Sequence, residues 1–351
     1  MNAVDTIQGT QHTAAVVHPT HKFKLLLKRE FWEHKGGFLW SPLIAGGISL
    51  LLTLMMIVFG LVAAHRAAAN GDLHFDGVNV NGLDLAQLTS RMSAEDMVQF
   101  SQGIDLTLFL SSAWPFIVLA FVAFFYCLGA LYDERKDRSV LFWKSLPVSD
   151  AQTVLSKVAS VAVVAPVLAV FASLVTMLGF MVMLSIVVLF HGGNPWTLLW
   201  DPASPSRIAA GSIAWIPVYA LWSLPTVGWL LLCSAWARSK PFLWAIMVPL
   251  FAGIFVSWFD LMELFKLDSS WFWSNVVGRL LLGTVPGMDL VYRDGFSGNA
   301  GNHNLEGILS SLSPSSQLAS LATPAIWIGA VFGAAMIYVA IQLRRRRELA
   351  D

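Results

Sequence analysis

The chain has 351 residues, 56% of them hydrophobic and 13% charged, with a formal net charge of zero. A soluble globular domain averages about 45–50% apolar and about 25% charged residues. A water-facing surface over most of this chain is therefore excluded, and the 15 Trp and 23 Phe make lipid its main solvent. Zero net charge also removes the electrostatic footprint of a nucleic-acid binder. Cys127 and Cys233 both sit inside apolar runs, which argues against a disulfide framework or a metal site and for two small buried hydrophobes.

Residues 1–20 are polar and without periodicity, as expected of a flexible cytoplasmic tail. Residues 21–40 change to HKFKLLLKREFWEHKGGFLW, with Phe23, Leu26, Leu27 and Phe31 at roughly helical spacing and basic residues between them. That pattern predicts an amphipathic helix in the membrane interface; a helix packed on protein is the plainer alternative.

A helix needs roughly 20 apolar residues to cross a bilayer. Within 41–343, six stretches satisfy this with no acid or base in their apolar centres: 41–64, 107–131, 153–190, 208–237, 241–259 and 325–343. The third is too long for one simple crossing, and is expected to be a projecting helix, bent near Pro166 or broken near Gly179, or else two crossings. Short loops on the cytoplasmic side are rich in Lys and Arg. Six crossings put sixteen of the 22 basic residues on one side, including the Arg344–Arg347 run in the tail 344–351. Splitting the third stretch would put that run outside, so six crossings are predicted, with both termini cytoplasmic. The polar lead is too long, and the first apolar run too extended, for a secretory signal.

The first outer loop carries scattered acids and no ligand motif. Pro217, Pro225 and Gly228 fall in the fourth span; a gating bend is the sharper expectation, and ordinary kinked packing the plainer one. The outer element 260–323 is rich in Trp, and its apolar run 276–285, interrupted by Arg279 and closed by Pro286, is short for a span. A re-entrant or surface-lying helical element is expected there. The fold class predicted is thus an all-α integral membrane protein with six transmembrane helices and an N-terminal interfacial helix.

The chain lacks a phosphate-binding loop of the G-x-x-x-x-G-K-[ST] type, an H-E-x-x-H, a G-x-S-x-G and any Cys/His cluster. It is therefore not expected to be an enzyme, and no catalytic, cofactor or metal residues are assigned. The spans also lack the titratable interior groups of an ion-coupled carrier, since Lys157 and Asp260 fall at span edges where snorkelling explains them. Energy for any transport must come from another chain.

Between spans two and three stands LYDERKDRSVLFWKSLPVSDAQ. Charges cluster over 133–138, an apolar run covers 140–143, and Pro147 ends the element before Ser149 and Asp150 cap the next helix. A short helix here would present charges and aromatics to another protein; a membrane-surface loop is the plainer reading.

An acidic-Arg pair followed by an apolar stretch and Leu-Pro-Val-Ser resembles the permease subunits of ABC-2 type ATP-binding-cassette transporters. The matching residues are Glu134, Arg135, Leu141, Leu146, Pro147, Val148 and Ser149, and the layout of 21–347 agrees. The resemblance implies an exporter half that pairs as a homodimer, or with a paralogous permease, in a bacterial-type inner (plasma) membrane. It implies a separate ABC ATPase subunit that binds ATP and Mg. The segment 133–150 would be the coupling helix, with Asp133, Glu134, Arg135, Arg138, Leu141, Phe142, Trp143, Leu146 and Pro147 contacting the ATPase. The alternative is a non-transporting scaffold or sensor whose charged loop docks a signalling partner.

Overall fold

The computed structural model describes residues 19–70, 74–75, 78–79, 93–139, 145, 147–262, 268–293 and 310–346. Apart from a two-residue antiparallel ladder pairing His74–Phe75 with Val78–Asn79, their regular structure is helical.

Helix α1 (Pro19–Glu33) lies along a later helix rather than alone. Its buried face centres on Leu26 and Glu30, one turn apart, while Leu25 and Trp32 are exposed beside Lys24 and Lys28. One face is thus packed on protein and the other keeps the basic-apolar character read from sequence. A π turn at Gly36–Trp40 leads into α2 (Ser41–Asn70).

Helix α3 (Ala94–Ser112) starts from a capping box, in which Ser93 Oγ accepts from Asp96 N and the Asp96 carboxylate accepts from Ser93 N. With α4 (Trp114–Ala130) and α5 (Tyr132–Lys136) it forms a helical stretch of 42 residues, Glu95–Lys136. Ser149 caps α6 (Asp150–Ala159) in a second box with Gln152, as the text there predicts. A π turn at Ser160–Val164 joins α6 to α7 (Ala165–Phe190), giving one helix of 41 residues.

The long third stretch is therefore a single helix, unbroken at Gly179, where the missing side chain lets Leu50 of α2 lie close. Pro166 has no N–H to offer the preceding turn. The π turn absorbs this by shifting the ladder one residue, with Ala165 N donating to Ser160 O.

At about 1.5 Å per residue these two long helices reach ~60 Å, roughly twice the hydrocarbon thickness. Where they project together, Ile104, Leu108, Phe180, Met181 and Val188 close on Leu198 and Leu199 of the π turn Trp196–Trp200. Asp105 pins this cap, accepting from Ser204 N at 2.7 Å and pairing with Arg207 at 2.9 Å.

Helices α8 (Pro205–Trp222) and α9 (Leu224–Trp236) meet at a 48° bend across Ser223. Pro225 stands in the first turn of α9, where its ring crowds the carbonyl four residues back and sets the bend; Pro217 lies inside an unbroken α8. Helix α10 (Pro241–Leu261) follows Lys240, which turns the chain with φ 49°.

The outer element comprises α11 (Ser269–Phe272), a π turn (Trp273–Gly278), α12 (Arg279–Leu282) and α13 (Met288–Arg293). It packs against α9 and α10. Helix α14 (Pro314–Ala319) lies on α8, and α15 (Pro324–Arg346) runs beside α9.

Helices α9 and α15 cross at close range. A Cβ on Gly228 would sit 2.6 Å from Gly333 O, and one on Gly333 would strike the Leu224 carbonyl. Gly228, expected in a kink, is therefore a close-approach residue. Opposite it stands Gly333, one turn after Gly329 in a small-xxx-small pattern.

The largest apolar cluster gathers Leu119, Cys127, Val154, Ala169, Tyr219, Leu230 and Ile337; both cysteines are buried and free. Large apolar side chains such as Met56, Phe255 and Val331 are exposed on α2, α10 and α15, the arrangement lipid requires and water does not tolerate over such areas.

Candidate functional site

Six basic or acidic side chains read separately in sequence meet at one end of the bundle. Glu30 of α1 is carried inside, where Lys157 Nζ of α6 donates to its Oε1 at 3.0 Å and Tyr126 OH of α4 donates to its Oε2 at 2.8 Å. The same Lys157 Nζ lies 3.0 Å from Glu134 Oε1 on α5. Arg344, near the end of α15, donates from Nη1 to Glu134 Oε2 at 2.5 Å and from Nε to Asp150 Oδ1 at 3.1 Å. Arg29 lies 3.8 Å from Glu134 and 3.3 Å from Glu33.

Glu30, Glu134 and Asp150 thus balance Arg29, Lys157 and Arg344 in a largely water-free cluster. Burial of these charges is tolerable only because each finds opposite charge and hydrogen bonds. The cluster joins α1, α5, α6 and α15, which are far apart in the sequence.

Arg135 acts on another partner. Its Nη2 donates to the carbonyls of Ser234 at 2.5 Å and Ala237 at 2.9 Å. These belong to the end of α9, whose last carbonyls have no helical donors of their own and carry partial negative charge. Ser234 Oγ completes the joint, donating to Leu128 O and accepting from Leu131 N and Tyr132 N. The acidic-Arg pair therefore divides its labour: Glu134 holds α1, α6 and α15, and Arg135 holds α9.

Of the residues assigned to partner contact, Asp133, Arg138 and Pro147 are exposed, with Lys136 and Asp137 beside them, whereas Glu134 and Arg135 are buried. Leu141, Phe142, Trp143 and Leu146 lie outside the described residues. Lys22 Nζ donates to Pro147 O at 3.1 Å, which ties the segment's end to α1. A cavity of about 660 Å³ opens beside the cluster, lined by Arg29, His34, Tyr126, Asp133, Glu134 and Lys157 among others.

Snorkelling does not describe Lys157, which is 2% exposed between two carboxylates. Its signal in the sequence was faint, a lone base one turn inside an apolar run. Arg344 is buried while Arg345 and Arg346 are exposed, so the first arginine of the basic run has a bonding role that a count of charges does not reveal. Glu30 could have been noticed because it falls one turn after Leu26, on the packed side of α1.

Two further features lie away from this end. An apolar cavity of about 720 Å³ is lined by Phe116, Phe121, Phe124, Trp215 and Phe242, with Gln317 among its few polar residues. The bend at Ser223 brings in Pro225, while Pro217 and Gly228 take no part in it. No group of acids, histidines and cysteines among the described residues is arranged to hold a metal ion.

Five helices are long and apolar enough to cross a membrane, and α8 with α9 makes a sixth if the bent pair is one span. The chain is an all-helical, multi-pass membrane protein. It matches no family model, no curated protein and no solved structure.

Proposed function

We propose that the chain is the membrane-spanning permease subunit of an ABC-2 type exporter, driven by ATP hydrolysis in a separate subunit. The sequence resemblance over Glu134, Arg135 and 146–149 suggests it. The observation that carries it is the buried charge cluster. A push on the 133–150 segment would reach α1, α6, α9 and α15 through short charge-assisted bonds, which are stiffer than neutral ones.

In this reading the membrane is crossed six times, with α8 and α9 as one bent span. The end bearing the cluster faces the cytoplasm of a bacterial-type cell. Asp133, Lys136, Asp137, Arg138 and Pro147 meet the ATPase together with Leu141, Phe142, Trp143 and Leu146, and Glu134 and Arg135 brace the segment from behind. The ATPase binds ATP and Mg, and its closure favours one arrangement of the spans through differential contact with it. Two permease chains pair, and the apolar cavity between α4, α8 and α10 suits the hydrophobic part of a substrate.

The test is purification of the tagged chain from its native membrane in mild detergent, with mass spectrometry of what accompanies it. The informative variant is Asp133→Lys with Arg138→Glu, because both positions are exposed and their reversal leaves the buried cluster intact. A P-loop ATPase accompanying the native chain and lost from the variant supports the reading. A signalling protein in its place, or no ATPase at all, sinks the transporter and leaves the scaffold or sensor.

A further inference from the structure

The guanidinium of Arg279 is set into the helix packing with no acid against it among the described residues. It lies flat on Gly329 of α15, where any side chain would collide with it, and its Cζ stands 4.2 Å from the centre of the Trp222 ring. Among the described residues no carboxylate reaches it, and its Nε and Nη2 are buried without a hydrogen-bond partner. Thr226 Oγ1 donates to its carbonyl oxygen at 2.6 Å, so the first turn of α9 holds this arginine's backbone in place.

Two more polar atoms are orphaned at the same bend. Trp222 is 4% exposed and its Nε1 has no partner; Ser223 is fully buried and its Oγ has none either. Ser223 stands three residues before Thr226, on the same helical face, and begins α9, which adds the positive end of a helix.

The chemistry of these orphans is uniform. Guanidinium and indole nitrogens only donate, and a serine hydroxyl can donate. A half-buried positive charge whose only close partner is the face of an aromatic ring, together with several unmatched donors among apolar helices, is costly unless an acceptor with negative charge joins them. Trp222 and Ser223 are closed over by packing, and Arg279 is half-buried with its Nε and Nη2 shut off, so the acceptor must be small.

We infer that the bend between α8 and α9 is a binding site for a small monovalent anion, a halide or a single carboxylate group, held by Arg279, Trp222 and Ser223. The bound anion neutralises the guanidinium and fastens the outer element to the bend. The inference stands apart from the transport reading, because it needs no ATPase and no substrate.

The experiment uses the full chain in lipid nanodiscs, with thermal unfolding followed in sodium bromide, sodium acetate or sodium gluconate at one ionic strength. Gluconate is too bulky for the site and serves as the reference. Bromide or acetate should raise the midpoint, since a ligand of the native state stabilises it in proportion to its occupancy, and Arg279→Gln should abolish the rise. Trp222→Phe and Ser223→Ala keep shape while deleting a donor, and each should raise the concentration needed for half the effect about ten-fold, the usual result of losing one hydrogen bond to a charged group. A response to bromide assigns an inorganic anion, and one to acetate alone assigns a carboxylate. Equal midpoints in all three salts, or an unchanged response in both the Trp222→Phe and Ser223→Ala chains, would overturn the site even if Arg279→Gln fails to fold.

Discussion

Glu134 meets Lys157 through one carboxylate oxygen and Arg344 through the other, so its removal leaves each cation with one carboxylate instead of two, Glu30 and Asp150 respectively, in a place water hardly reaches. Breaking a buried pair in this way costs about 3–5 kcal/mol, whereas an exposed pair is worth about 0–1 kcal/mol. Glu134→Ala should therefore lower the thermal midpoint in detergent sharply, and Asp133→Ala next to it should barely move it. Equal effects of the two substitutions would mean that the cluster is open to water. The sequence marked Glu134 and Arg135 as a pair, and no reading of it could give their direction. Glu134 is 210 residues from Arg344, and Arg135 is 99 from Ser234, separations that local spacing does not constrain. What can be read locally, the Ser149 cap and the buried cysteines, agrees with the structure for the same reason: caps and apolar runs depend on near neighbours.

Helices α9 and α15 approach so closely because Gly228 and Gly333 present backbone to backbone. In lipid, such contact replaces the hydrophobic drive that packs helices in water. Gly333→Leu forces a side chain into the Leu224 carbonyl and the Pro225 ring nitrogen, neither of which can rotate away. Overpacking typically costs about 1–3 kcal/mol, sometimes more, and here the expected result is a lowered unfolding midpoint. A Gly47→Leu control, in a place where an added Cβ meets nothing, should leave it near native. Identical midpoints for the two variants would show that α15 can slide to make room. At this scale the sequence told lengths well and breaks poorly. The third stretch was readable as too long, yet its π turn before Pro166 was not, because hydrophobic periodicity averages over a single inserted residue. The fourth stretch showed its prolines equally, but only Pro225 bends it.

The whole chain repeatedly returns to one end of the bundle. Glu30, Glu134, Ala237 and Arg344 are linked there by the cluster and by Arg135, so an even number of passes separates each from the next. Trp196, which follows α7, is well exposed at the other end. Sidedness can therefore be tested directly with single cysteines and a membrane-impermeant maleimide in sealed vesicles of both orientations. The native Cys127 and Cys233 are buried and should stay unlabelled while the protein is folded. Asp133→Cys and Arg345→Cys, both exposed, should react in the same vesicles, and Trp196→Cys only in vesicles of opposite orientation. Labelling of Trp196→Cys alongside Asp133→Cys would mean that the helix Asp150–Phe190 does not cross once, and the six-pass arrangement would fall with it. The expected pattern would instead place the basic run, α1 and the 133–150 segment on one face. The buried cluster would then be a joint between the membrane bundle and whatever binds from that side.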